Sequence, residues 1–121
     1  DVLQVYTLNT NDIDYFPFEK IPRDSKVIIY GMGSAGKSYV GQIQETKYCK
    51  VIGLIDKNKG KCTGYEWINP DDMSEELLEE ADYIVISSRN KKNINTMYEN
   101  LRQSGVSENK IICHIFGKGQ A

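Results

Sequence analysis

Apolar residues fall in short runs separated by polar stretches of helical length. Val27-Ile28-Ile29-Tyr30, Val51-Ile52-Gly53-Leu54-Ile55 and Tyr83-Ile84-Val85-Ile86-Ser87 are nearly continuous and rich in β-branched residues, the pattern of strands buried on both faces of a parallel sheet. Tyr65-Glu66-Trp67-Ile68 predicts a further short strand, and Lys110 to Phe116 the last one. Between the first two runs, Gly36, Val40 and Ile43 recur at i, i+4 and i+7, which predicts a helix from Ser34 to about Lys47 with that face on the sheet. Asp71 to Glu80 reads as an acidic helix, with Met73, Leu77 and Leu78 on its apolar side and Ser74 as a start signal. Lys91 to Ser104 reads as a helix through Ile94, Met97, Tyr98 and Leu101, closed by Gly105.

Strands alternating with helices predict an α/β, three-layer αβα fold with right-handed crossovers and a mostly parallel sheet of about 4–5 strands. Residues 1–25 stand apart from this pattern. Tyr15-Phe16-Pro17-Phe18 and Ile21-Pro22 are apolar but punctuated by proline, so they predict an extended lead-in packed on the domain, with residues 26–121 as the domain proper.

The first strand runs into Gly31-Met32-Gly33-Ser34-Ala35-Gly36-Lys37-Ser38, which satisfies two motifs. Gly31, Gly33 and Gly36 form G-x-G-x-x-G, the dinucleotide fingerprint of a Rossmann unit, while Gly31, Gly36, Lys37 and Ser38 form G-x-x-x-x-G-K-S, a triphosphate loop. Both place backbone N–H groups and a helix N-terminus against phosphate. The Rossmann reading is favoured because the second strand ends at Asp56, 20 residues after Gly36, the position of an acid that binds ribose hydroxyls. Gly36 also shares the face of Val40 and Ile43, where the third glycine lets helix and sheet approach. No later strand ends in an aspartate suited to magnesium, since the Tyr83 run continues into Ser87-Ser88-Arg89.

The expected ligand contacts are therefore Gly31, Met32, Gly33, Ser34, Ala35, Gly36 and Lys37 in the loop and Asp56 and Lys57 after the second strand. Ser87, Ser88 and Arg89 join them at the point where strand order reverses. NAD is the expected cofactor, with a nucleotide sugar as the alternative ligand. Asp56 favours NAD over NADP, a preference that Lys57 and Lys59 blur.

Composition narrows the class without naming the ligand. At 121 residues, 40% apolar and 26% charged, the chain has the size and balance of one folded domain. A net charge of −2 gives no general attraction to nucleic acid, and no apolar run approaches the roughly 20 residues that span a bilayer. Cys49, Cys62 and Cys113 lack the paired spacing of a zinc or dithiol site. They are expected to be reduced thiols of a cytoplasmic protein, or of one held at the cytoplasmic face of the membrane by other domains. No metal site is expected. His114, the only histidine, sits in the last strand run and is expected to be structural. A start at Asp1 suggests a fragment of a longer protein.

The lead-in and loop residues also carry a resemblance. Phe16-Pro17-Phe18, Ile21-Pro22, Val27 through Gly33, Gly36-Lys37-Ser38-Tyr39, Gln42-Ile43, Tyr48-Cys49 and Asp56-Lys57 resemble Rossmann-like domains of bacterial polysaccharide and lipopolysaccharide biosynthesis proteins. Pro70, Asp82 through Ile86 and Lys110-Ile111-Ile112 extend the match. Such domains are similar to the N-terminal domains of sugar-nucleotide dehydratases and to modules fused to glycosyltransferases or methyltransferases. The resemblance implies NAD or a nucleotide sugar as ligand and other domains of a parent protein as partners, and homo-oligomerisation stays open. Met32 replaces a small residue of the family, which implies a narrower phosphate approach. With no Tyr-x-x-x-Lys pair, acid–base dyad or activated cysteine legible, the catalytic residues are unknown and a binding module is the leading expectation. A component of an NAD-dependent nucleotide-sugar dehydrogenase, epimerase or dehydratase, a non-catalytic adaptor, and an ATP- or GTP-binding loop are the alternatives.

Overall fold

A computed structural model describes residues 14–60 and 64–113. Its strands are β1 (Lys26–Tyr30), β2 (Lys50–Ile55), β3 (Trp67–Ile68), β4 (Tyr83–Ile86) and β5 (Ile111–Cys113), and its α-helices are α1 (Ser34–Thr46), α2 (Glu75–Glu80) and α3 (Lys91–Gln103). Every strand pairing is parallel, in the order β3-β2-β1-β4-β5. The chain therefore winds outward from β1 in one direction through β2 and β3, and in the other through β4 and β5. This is the Rossmann-like α/β architecture that the sequence pattern predicts.

Alternation along β1 explains the three layers. Val27 and Ile29 join Tyr39, Val40 and Ile43 of α1 in one core, while Ile28 and Tyr30 join Leu78 of α2 and Ile94 and Leu101 of α3 in the other. The central strand is dry on both faces, so nearly all its side chains are apolar. The lead-in completes the first core. Phe16 and Ile21 are buried there, and Phe16 makes edge-to-face contacts with Phe18 and Tyr39. Tyr48 adds an edge contact to Phe18 and donates from its hydroxyl to the carbonyl of Ile21 at 2.6 Å.

Two elements differ from expectation. The predicted helix Asp71 to Glu80 is a 3₁₀ turn at Pro70–Asp72 followed by the short α2. Asn69 accepts from the amide of Asp71 ahead of the turn, and Ser74, extended at ψ 131°, accepts from that of Leu77, so the cap at Ser74 interrupts what charge and periodicity made look continuous. The last strand begins at Ile111 because Glu108–Lys110 forms a 3₁₀ turn. Residues 114–116, and with them His114, lie outside the described residues, as does Cys62. Gly105 closes α3 as expected. It has φ +92°, and the amides of Gly105 and Val106 donate to the carbonyls of Arg102 and Leu101 at 3.0 Å each, a Schellman closure.

A β-bulge shifts the pairing of β1 with β2. Val27 faces Val51, but Ile28 faces Gly53, so β2 carries one extra residue and Tyr30 comes to face Ile55. Asp56 is thereby delivered beside the loop that follows β1.

Burial pushes the thiol of Cys49 from 9.0 up to about 11, so the folded chain retains a proton that the unfolded chain releases between those values. The stability it contributes is fully present below pH 9.0 and is lost as pH rises toward about 11. Urea midpoints across that window should fall, and Cys49→Ala should flatten the decline.

Candidate functional site

Three chain segments meet where strand order reverses between β1 and β4: the glycine loop, the turn after β2 and the turn after β4. Gly31 takes φ +100°, a conformation that favours glycine, and a Cβ there would meet Ser87 Oγ at 2.9 Å and Met97 Cε at 3.1 Å. Gly33 is the N-cap of α1, and a Cβ there would meet nothing within 4 Å because the site opens at that point. A Cβ on Gly36 would lie 2.0 Å from the Gly31 carbonyl oxygen, so the third glycine lets the first turn of α1 rest on the loop.

No side chain caps α1, and the first intrahelical bond is Lys37 N–H to Gly33 O at 3.0 Å. The amides of Ser34, Ala35 and Gly36 precede that bond and form the donor end of the helix, where the backbone dipoles favour an anion.

Asp56 and Ser87 hold the loop in shape. One carboxylate oxygen of Asp56 accepts from the amide of Met32 at 2.6 Å, and the other accepts from that of Asn58 at 2.9 Å. Each oxygen keeps a further lone pair for a hydroxyl donor. The buried hydroxyl of Ser87 lies 2.6 Å from Gly31 O and 3.1 Å from Tyr30 O, so its proton is committed to the main chain. Ser88 accepts from the amide of Asn90 at 3.0 Å, shaping the turn before α3.

These segments enclose a cleft of about 420 Å³. Of the sequence-predicted residues, Gly31, Gly33, Ser34, Ala35, Asp56, Ser87, Ser88 and Arg89 line it. A second cleft of about 310 Å³ adjoins it, sharing Gly31, Asp56, Asn93 and Met97, and Lys57 lies along that one. Together they give a continuous groove with Asp56 among the residues common to both parts, enough for a ligand of dinucleotide size.

Met32, Gly36 and Lys37 line neither cleft. The Met32 side chain is buried in the first core, so it does not narrow the phosphate approach, and only its amide faces the site, through Asp56. Lys37 is exposed, and Ser38 donates to the carbonyl of Asp14 at 3.1 Å. Thus neither of the two residues that complete the triphosphate motif lines a cleft: Lys37 is solvated and Ser38 is engaged by the lead-in. Lys37→Ala should leave nucleotide affinity within about twofold by calorimetry, because a solvated cation outside the groove adds little.

The groove also contains residues that carry no motif. Asp14, from the lead-in, lines the first cleft and pairs with Arg89 through Nε. Asn93 and Met97 of α3 line both clefts. At the floor of the second cleft, Asn100 Nδ2 donates to the hydroxyl of Tyr30 at 3.0 Å, and burial raises the Tyr30 phenol above its ordinary value. For α3 the signal was latent in the sequence: Asn93, Met97 and Asn100 recur at i, i+4 and i+7, one helical stripe, and all three line the groove. Among the described residues no cluster of three or more His, Cys, Asp or Glu side chains is placed to hold a metal.

A parallel sheet with an uncapped, glycine-rich helix start at its switch point defines a Rossmann-like α/β domain. Residues 23–112 match the family described as C2185-like, N-terminal, and the chain belongs to that family. Among solved structures, the chain is similar to UDP-D-quinovosamine 4-dehydrogenase from Vibrio fischeri, at 22% identity and a TM-score of 0.59 over 78% of this chain and 86% of that one. It is also similar to RSP, a Rex-family repressor, at 15% identity and a TM-score of 0.58. That match covers 99% of this chain but 64% of the repressor, so the chain spans under two thirds of that relative. The repressor is known in complex with β-NADH, and with β-NAD+ and operator DNA. At these identities the likeness establishes the fold. A comparison with curated proteins gives no match. Among the described residues no helix is long and apolar enough to cross a membrane.

Proposed function

We propose that the domain binds a nucleotide joined through a pyrophosphate to a second group, NAD or a nucleotide sugar, and presents it to other parts of a longer protein of bacterial surface-polysaccharide biosynthesis. The observation that carries this reading is the uncapped N-terminus of α1 opening into a groove whose two clefts share Asp56. Pyrophosphate fits the helix N-terminus through the amides of Ser34 and Ala35, the nucleoside fits the second cleft with its ribose on Asp56, and the remaining group lies along the first cleft toward Ser88 and Arg89. In this reading residues 26–121 form the binding domain, and residues 1–25 lead into it.

Two solved neighbours support the ligand class: one is named for a UDP-sugar and the other is bound to NAD(H). The first also supports a second reading, in which the domain is one component of an NAD-dependent nucleotide-sugar dehydrogenase. Calorimetry with NAD, NADH and UDP-sugars is the test. Saturable binding accompanied by a thermal shift is expected; a folded chain that binds none of them at millimolar concentration overturns the reading.

A further inference from the structure

The lead-in reaches the groove by a route that the loop motif does not contain. Ser38 Oγ and Gln42 Nε2, four residues apart on α1, both donate to the carbonyl of Asp14, at 3.1 and 2.6 Å, and Gln42 Oε1 accepts from the amide of Phe16 at 3.0 Å. The carboxamide of Gln42 therefore holds this segment as a neighbouring strand would, through one donor and one acceptor. Phe16, buried one step further along, locks the register.

The consequence is the position of Asp14. Its side chain is 15% exposed and lines the first cleft, although its own segment lies outside the β1 to β4 frame. Oδ1 takes the Nε–H of Arg89 across 75 positions of sequence, and among the described residues neither Oδ2 nor the terminal N–H groups of the guanidinium have a hydrogen-bond partner. Asp14, Ser88 and Arg89 line only the first cleft, whereas Asp56 is shared with the second. The first cleft thus holds two carboxylates, of which Asp56 is shared with the second cleft and Asp14 is not.

We infer that Asp14 is a ligand-contacting residue that selects for a hydroxylated sugar beyond the pyrophosphate, and that Ser38 and Gln42 are the positioning residues that deliver it. This rests on the proposed nucleotide-binding role and narrows its ligand class. A carboxylate with a free oxygen accepts hydrogen bonds from sugar hydroxyls but repels a further phosphate. Arg89, held by Asp14, keeps its terminal donors for the same distal group. The favoured ligand therefore has a sugar on each side of two phosphates, as both a dinucleotide and a nucleotide sugar do, and a free nucleoside diphosphate or triphosphate lacks the group that Asp14 reads.

The experiment compares complete and truncated ligands: NAD with ADP, and UDP-N-acetylglucosamine with UDP, each titrated calorimetrically into the wild-type chain and Asp14→Ala. The pair that shows the effect tells whether the distal sugar is the ribose of a dinucleotide or the hexose of a nucleotide sugar. Asp14→Ala should weaken the complete ligand about tenfold or more, the scale of charge-assisted hydrogen bonds to hydroxyls, while ADP or UDP affinity changes less than threefold. Equal losses for complete and truncated ligands, or no loss for either, overturn the inference and leave the nucleotide reading intact; no binding of any of the four overturns both. Should Asp14→Ala fail to fold, the wild-type chain still decides by NMR. Amide shifts at Asp14, Tyr15 and Arg89 must respond to the complete ligand and not to its truncated partner, and equal responses refute the assignment.

Discussion

Gly36→Ala should lose on the order of 3 kcal/mol or more of stability, the upper end of what overpacking costs. The added Cβ would sit 2.0 Å from the Gly31 carbonyl oxygen and 3.0 Å from its carbonyl carbon, and backbone cannot swing aside as a side chain tip does. Gly31 itself is fixed, since its amide donates to Ile55 O at 2.7 Å and its carbonyl accepts from Ser87. Relieving the contact therefore means moving α1 off β1 or breaking the loop. The roughly 1 kcal/mol gained in helix propensity when alanine replaces glycine does not offset this. Gly41→Ala, in the same helix, is the internal control. A Cβ there meets nothing within 4 Å, so it should stabilise by roughly 0.5–1 kcal/mol. Urea unfolding of both variants checks the pair, and equal effects from the two glycines would refute the close-approach explanation.

Gly33→Val should do the reverse, leaving the fold in place and removing the ligand. Gly33 has φ −76°, outside the left-handed region, with open space where a Cβ would go. The cost to the chain is a poorer helix N-cap, on the order of 1 kcal/mol. That open space is where a pyrophosphate would approach the amides of Ser34 and Ala35. A branched side chain there would break charge-assisted hydrogen bonds worth roughly 1.5–3 kcal/mol each, or about one to two orders of magnitude in Kd. Titration of NAD or a UDP-sugar, with unfolding measured alongside, checks it; wild-type affinity in a folded Gly33→Val would remove the loop from the site.

The two glycines show how far a motif can be read from a sequence. Their spacing was legible, and so was the different task of each, because Gly36 shares the helical face of Val40 and Ile43. The strands were legible because Val27 through Tyr30 and Tyr83 through Ile86 are buried on both sides and must be apolar. The break between Asp72 and Glu75 was legible only in part: Ser74 reads as a start signal, but it lies within a run from Asp71 to Glu80 whose charge and spacing suit one longer helix. Lys37 and Ser38 completed a second motif in the sequence, yet a pattern of residue types holds no information about direction. The structure turns Lys37 to solvent and Ser38 to the lead-in.

By itself the sequence determined the alternation of strands and helices, the parallel sheet, the glycine loop and the acid that ends the second strand. Each follows from local rules: periodicity, chain length between runs, and the backbone freedom of glycine. Tertiary structure alone decided the register, the second cleft and the presence of Asp14 in the groove. One extra residue at Ile52 sets Tyr30 against Ile55 and carries Asp56 to the loop. Hydrogen bonds spanning 24 to 75 residues bring Asp14 to α1 and Arg89. Such contacts depend on where packed elements place their ends, which no local pattern specifies.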